Sequence, residues 1–295
     1  MLMVRAKISS DVPNICFIWF FQLGIIVLAT TLPLLAAEEL SQSERQSVNF
    51  EDILELPYRA SDYKFSYGAE SLQFGQLWLP KGKNNGTIIF IHGGCWMNEY
   101  DIDHAYAFAT ELASAGYAVW SLEYRRTGDM GGGWPGTFED VISGINKLKD
   151  LGKFGLDMEK LVLMGHSAGG HLAILAGARA RLLEVEPSLV LGLAAITDVI
   201  TYSKGQSSCQ QSATAFMGGS SDDRLAAYGE VNPANYGVDS NTVLLYGAFD
   251  EIVPSSQAIL PGARSLRHES AGHFDWIHPG TDAFRMILAV LLKEL

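Results

Sequence analysis

The residues of this chain best suited to chemistry are Gly165-His166-Ser167-Ala168-Gly169. A serine hydroxyl is a weak nucleophile unless the backbone presents it and a base activates it. This Gly-x-Ser-x-Gly stretch lies between a short apolar run, Lys160 to Met164, and a run of good helix formers, His171 to Ala176. The pattern predicts a buried strand turning sharply into a helix. Such a turn holds its central residue in a strained conformation, and glycines on both sides let chain segments pass closely. The Ser167 hydroxyl then stands at the top of a sheet, above a helix N-terminus.

A serine nucleophile needs backbone donors for the charge that develops on an attacked carbonyl, and it needs a base with an orienting acid. Thr87 to Ile91 is a β-branched apolar run followed directly by His92-Gly93-Gly94-Cys95-Trp96. Two glycines leaving a buried strand can turn the main chain so that its amides face the serine. The expected oxyanion donors are therefore the N–H groups of Gly94, Cys95 and Ala168, with a plain glycine turn and a packed tryptophan as the alternative. Asp250 follows the strand-like run Thr242 to Gly247 and is the expected acid. Glu251 ranks second and Asp198 third. The expected base is His273, in the small-residue turn Ala271-Gly272-His273-Phe274, with His268 and His278 as competitors. Together these parts predict acyl transfer to water. The seven histidines show no zinc-like spacing, and Gly131-Gly132-Gly133 lacks the lysine and setting of a phosphate loop, so neither a metal nor a cofactor is expected.

The elements that must position these groups alternate between strand and helix. Ala118 to Tyr124 reads as a strand, preceded by a helical stretch around His104 to Ala115 that Gly116 ends. Val141, Ile142, Ile145 and Leu148 mark one face of a helix within Phe138 to Leu151. The alternation predicts an α/β fold with a mostly parallel sheet covered by helices on both faces, as one domain over residues 38–295. Residues 198–241, rich in Ser, Gln, Gly and Asn with Phe216 and Met217 as isolated apolar residues, are expected to form an insert or partial lid, or else a plain surface connection. Trp96 and Trp134 are candidate walls for an aromatic acyl or leaving group, although core packing is the ordinary role of a tryptophan. His166 is expected to pack under the serine or to line the pocket. Cys95 reads as a small buried residue; a bridge to Cys209 is possible but not dictated.

His92-Gly93-Gly94-Cys95-Trp96, Gly165 to Leu172 and Ala271 to Asp275 resemble the α/β-hydrolase superfamily, and within it the carboxylesterase and kynurenine formamidase-like branch. The resemblance runs from about Gly75 to the C-terminus. It implies an α/β-hydrolase fold and a serine hydrolase acting on small esters or arylformamides. Cys95 stands where the hormone-sensitive-lipase type would carry a third glycine, which favours the formamidase-like branch. A serine peptidase of the oligopeptidase type and a non-catalytic binding protein on the same scaffold are the alternative functions.

Composition narrows the partners. A net charge of −12 disfavours nucleic acid and anionic membrane surfaces and leaves a neutral small molecule as the expected partner. Residues 1–37, with Arg5 and Lys7 ahead of the apolar run from Ile15 to Leu35 and then Ala36-Ala37, read as a secretory signal. The protein is then secreted or periplasmic. Retention of residues 15–37 as a membrane anchor is the alternative.

Overall fold

Five runs of β-branched and apolar residues set the frame. The structure, a computed structural model, describes residues 47–295; the signal or anchor expected over residues 1–37 lies outside the described residues. The strands are β1 (Tyr63–Ser66), β2 (Phe74–Trp78), β3 (Thr87–Ile91), β4 (Ala118–Leu122), β5 (Leu161–His166), β6 (Leu189–Leu193), β7 (Thr242–Gly247) and β8 (Arg264–His268). They form one sheet in the order β1-β2-β4-β3-β5-β6-β7-β8, antiparallel from β1 through β4 and parallel from there to β8.

Along the central strands the side chains alternate between two cores. Ile89 and Ile91 of β3 and Leu161 and Leu163 of β5 face one; Ile88, Phe90, Val162 and Met164 face the other. Both faces are apolar, so both must be covered. Helices α1 (Phe50–Leu54), α2 (Tyr106–Ser114) and α8 (Asp282–Glu294) contribute to the second core, and α3 (Gly136–Asn146) and α4 (Ala168–Ala178) to the first. Every residue of α4 from Ala168 to Ala176 is buried, which suits a helix with no polar face.

The expected strand at Ala118 to Tyr124 ends instead at Leu122, leaving Glu123 and Tyr124 in the turn beyond it. Residues 198–241 contain α5 (Val199–Tyr202), α6 (Ser208–Met217) and α7 (Leu225–Val231). Phe216 and Met217 are not isolated. With Cys209 and Ala213 they make the buried face of α6 at spacing i, i+4, i+7, i+8, packed on the first core. A disulfide joins Cys95 to Cys209 across 114 residues, with Cα atoms 5.2 Å apart, which is the bridge that the sequence left open.

The chain order places the ends of β3 and β5 side by side at the point where the strand order reverses, and a crevice opens there beyond the carboxyl ends of the strands. The closeness of these ends depends on two glycines. A Cβ on Gly169 would lie 2.2 Å from the carbonyl oxygens of both Ile91 and His92, and one on Gly165 would lie 2.2 Å from the Gly169 carbonyl. Backbone cannot give way as a side chain can. Gly169→Ala is therefore expected to cost about 3 kcal/mol or more and to lower Tm by roughly 6–12 °C, measured by calorimetry. An unchanged Tm would show that the two strand exits are less tightly joined than these contacts require.

Candidate active site

Ser167 sits between β5 and α4 with φ 56° and ψ −120°, a conformation that non-glycine residues rarely adopt. Its neighbours hold it there. Its N–H donates to the Leu193 carbonyl at 2.9 Å, and its own carbonyl accepts from His171 N at 3.0 Å. Ala168 opens α4, where an amide has no partner within the helix. Ser167 lines a cavity of about 240 Å³ together with Gly94, Cys95, His166 and His273. Phe50, Tyr100 and Phe274 give it aromatic walls, and Ser207, Ser208 and Cys209, at the start of α6, complete it.

The expected base lines this cavity and meets the expected acid there, each from the end of another strand. His273 follows β8 and Asp250 follows β7; His273 Nδ1 donates to Asp250 Oδ2 at 2.8 Å, with both side chains almost fully buried. The other Asp250 oxygen accepts from the Ile252 and Val253 amides at 2.9 and 2.8 Å, which fixes the carboxylate on both sides. The competitors lie elsewhere. Glu251 lines the cavity but is exposed. Asp198 caps α5 through Thr201 N and accepts from Asn232 Nδ2. His268 packs edge-on against Trp276, and His278 accepts from Gly280 N in the turn before α8.

The loop after β3 follows an unusual path. Gly94, Cys95 and Trp96 all have positive φ, at 109°, 52° and 59°. A buried polar cluster that the sequence did not reveal supports it. Both His92 ring nitrogens face oxygens, Nδ1 the Gly93 carbonyl at 2.8 Å and Nε2 the Glu123 carboxylate at 3.1 Å. Glu123 also accepts from the amides of Tyr124 and Ile102. Tyr124 stacks on the His92 ring at 4.4 Å and donates its hydroxyl to the His92 carbonyl at 2.7 Å. Burial would raise the Glu123 carboxyl, but His92, Arg126 and the Tyr124 amide outweigh it and hold it below the usual carboxylate range. The sequence signal for Glu123 is faint, an acidic residue ending an apolar strand.

Trp96 and Trp134 do not wall the cavity as expected. Trp96 is fully buried, stacked on Phe216 at 5.0 Å with planes 10° apart. Trp134 packs on Phe138 and Phe216, beyond the cavity wall. Trp96 is buried within this aromatic layer and Trp134 is half-buried at its edge. Trp96 Nε1 donates to His171 Nδ1 at 3.3 Å, and His171 Nε2 donates to the Val231 carbonyl at 2.8 Å. His166 lines the cavity and donates Nε2–H to the His273 carbonyl at 3.0 Å. Among the described residues no group of three or more His, Cys, Asp or Glu is placed to hold a metal ion.

Comparison with known proteins identifies the scaffold. The family model described as BD-FAE matches residues 76–261, a span that includes Ser167 and Asp250 and ends before His273. An esterase of Mycobacterium tuberculosis, LipC, is 33% identical over 115 residues, 38% of this chain, and the match spans only 28% of that esterase. A kynurenine formamidase-like hydrolase of Fusarium equiseti, fscH, is 29% identical over 252 residues, covering 71% of this chain and 80% of the relative. Esterase B from Lactobacillus rhamnosis superposes with a TM-score of 0.67 at 19% identity, over 89% of this chain and 93% of that one. The fold is the α/β-hydrolase fold.

Three buried histidines give the fold a dependence on acid. Burial pushes His104 down to about 3 and His171 down to about 4, and burial together with His273 holds His166 well below 6.5. All three are neutral when folded and take up protons near 6.5 once unfolded. Their contribution is complete above about pH 6.5 and is lost as pH falls toward their folded values. Unfolding free energy should drop between pH 6.5 and 4.5 with a slope approaching roughly 4 kcal/mol per pH unit, from about three protons taken up. Urea titrations at pH 7, 6 and 5 would show this. A flat profile would mean that these imidazoles are charged in the native protein.

Proposed function

Because the chain belongs to the BD-FAE family, we propose that it is a serine hydrolase that cleaves small carboxylic esters through an acyl-enzyme on Ser167. Arylformamides are the second substrate class. The observation that carries the reading is the His273–Asp250 pair at 2.8 Å, at one cavity with a serine held at φ 56°.

With Nδ1–H given to Asp250, the free lone pair of His273 is on Nε2. That atom takes the Ser167 proton as the serine oxygen attacks the carbonyl carbon. The amides of Gly94, Cys95 and Ala168 meet the charge on the carbonyl oxygen. Collapse returns the proton to the departing alcohol or amine and leaves the acyl group on Ser167. Water then attacks with the same proton transfers and releases the acid. Asp250 stays ionised throughout and stabilises the transient imidazolium. The cavity volume of about 240 Å³ and its aromatic walls suit a small acyl or aryl group. The relative aligned over most of its own length is named a kynurenine formamidase-like hydrolase, which supports formamides as the second class.

Ser167→Ala should lower kcat by more than about 10⁴-fold on a short-chain aryl ester, and Asp250→Asn by about 10⁴-fold, both with Tm within about 2 °C of the parent. A Ser167→Ala protein that retains turnover would overturn the assignment. Measuring kcat/KM for the aryl ester and for N-formylkynurenine side by side ranks the two substrate classes. A higher value on the formamide would put formamides first and esters second.

A further inference from the structure

We propose that α6 braces the oxyanion loop, with Cys209 and Phe216 as positioning residues, so that turnover depends on the redox state of the Cys95–Cys209 bond. The dependence of turnover rests on the hydrolase reading above; the bracing does not.

Cys95 and Trp96 are consecutive residues with side chains at φ 52° and 59°. Residues of this kind leave the left-handed region unless their surroundings over-determine it. One helix holds both. Cys209 is bonded to Cys95, and seven residues on, two turns along the same face, Phe216 stacks on Trp96 at 5.0 Å. Trp96 is tied a second time through His171 to the Val231 carbonyl at the end of α7. The helix is itself well anchored. Ser207 and Gln210 form a reciprocal cap at its start, Gly218 closes its end, and the Phe216 carbonyl accepts from Trp134 N at 2.8 Å.

The loop has further backbone bonds, Met97 N to the Gly94 carbonyl at 2.9 Å, Thr127 N to the Trp96 carbonyl at 2.8 Å and Asn98 N to the Thr127 carbonyl at 3.0 Å. These keep it attached when the disulfide opens, and the first closes a four-residue turn with Cys95 and Trp96 at its centre; residues with side chains disfavour that turn, and the disulfide and the Phe216 stack hold it against relaxation. Cys95 is half-buried, and both cysteines line the cavity, so a small reductant can reach the bond. A dithiol would attack one sulfur as a thiolate and form a mixed disulfide. Its second thiolate then displaces the protein sulfur, leaving the thiols of Cys95 and Cys209 and one oxidised dithiol. Once freed, Cys95 keeps only the turn bond from Met97 N to the Gly94 carbonyl to hold its left-handed torsions, and its amide samples directions away from the carbonyl oxygen.

The test uses the full chain well below its melting temperature, reduced with dithiothreitol and then desalted, alongside Cys209→Ser. Thiol titration verifies that the bond is open. On p-nitrophenyl acetate, kcat is expected to fall about tenfold or more, with KM within about twofold, in both the reduced protein and the variant. Reoxidation should restore the reduced protein and leave the variant unchanged. Hydrogen exchange over residues 92–98 should speed up on reduction while the exchange of β3 and β5 stays the same. An unchanged kcat with both thiols titrated, a rise in KM alone, or unaltered exchange over 92–98 would overturn the proposal. If Cys209→Ser fails to fold, the reduced parent and Phe216→Leu carry the same comparison. If the oxidised protein turns over no ester or formamide, the hydrolase reading falls, and hydrogen exchange still decides whether α6 braces the loop.

Discussion

The exits of β3 and β5 cross at backbone distance, and the rest of the site depends on that crossing. Gly169 lies so close to Ile91 and His92 that a single methyl group would meet two carbonyl oxygens at 2.2 Å. This contact brings the Ser167 turn beneath the loop that carries Gly94 and Cys95. The same β5 to α4 turn puts the Ala168 amide at the start of a helix that is buried all round. The proposed nucleophile and amide donors can converge only if two pieces of main chain are allowed to touch, and glycine alone permits it.

Convergence produces strain, and the strain is confined by polar groups that would be costly anywhere else. Glu123 is almost wholly buried, yet it is tied to His92, Arg126 and two backbone amides on the far side of the loop. On the near side, Trp96, His171 and the Val231 carbonyl form a chain of hydrogen bonds that works only with a neutral imidazole, because His171 must accept at one nitrogen and donate at the other. Burial keeps His171 in that form. Asp250 is treated alike, with one oxygen for two amides and the other for His273. Glu123, His92, His171 and Asp250 each have both side-chain polar atoms engaged, which is the condition under which such groups support a single geometry.

Much of this can be read from residues. The runs at Thr87 to Ile91 and Thr242 to Gly247 coincide with β3 and β7 because β-branched residues between polar turns leave little choice. Ser167, Asp250 and His273 each follow a strand, and that position is what marks them in sequence; the structure brings Ser167 and His273 to one cavity and sets Asp250 against His273. Glu123 is not legible, since an acid at a strand end carries no mark of what it faces. The helix α6 is hidden because its apolar stripe uses cysteine and alanine among serines and glutamines, which reads as a polar connection. The Cys95–Cys209 pairing is not derivable either, for two cysteines 114 residues apart say nothing about distance in space. The tryptophans mislead for a related reason. Trp96 follows the glycines of the site directly in sequence, yet its ring points away from the cavity into the layer formed by Phe216.

Formation of an acyl bond on Ser167 is the step on which the proposed mechanism rests. Its most direct test is acid-quenched mass spectrometry of the protein during turnover of a slowly deacylating aryl ester, followed by digestion and peptide mapping. A mass increase of one acyl group is expected on the peptide containing Ser167, absent from Ser167→Ala. Turnover with the acyl group on any other residue, or with the intact protein unmodified at saturating ester when deacylation limits the rate, would contradict it.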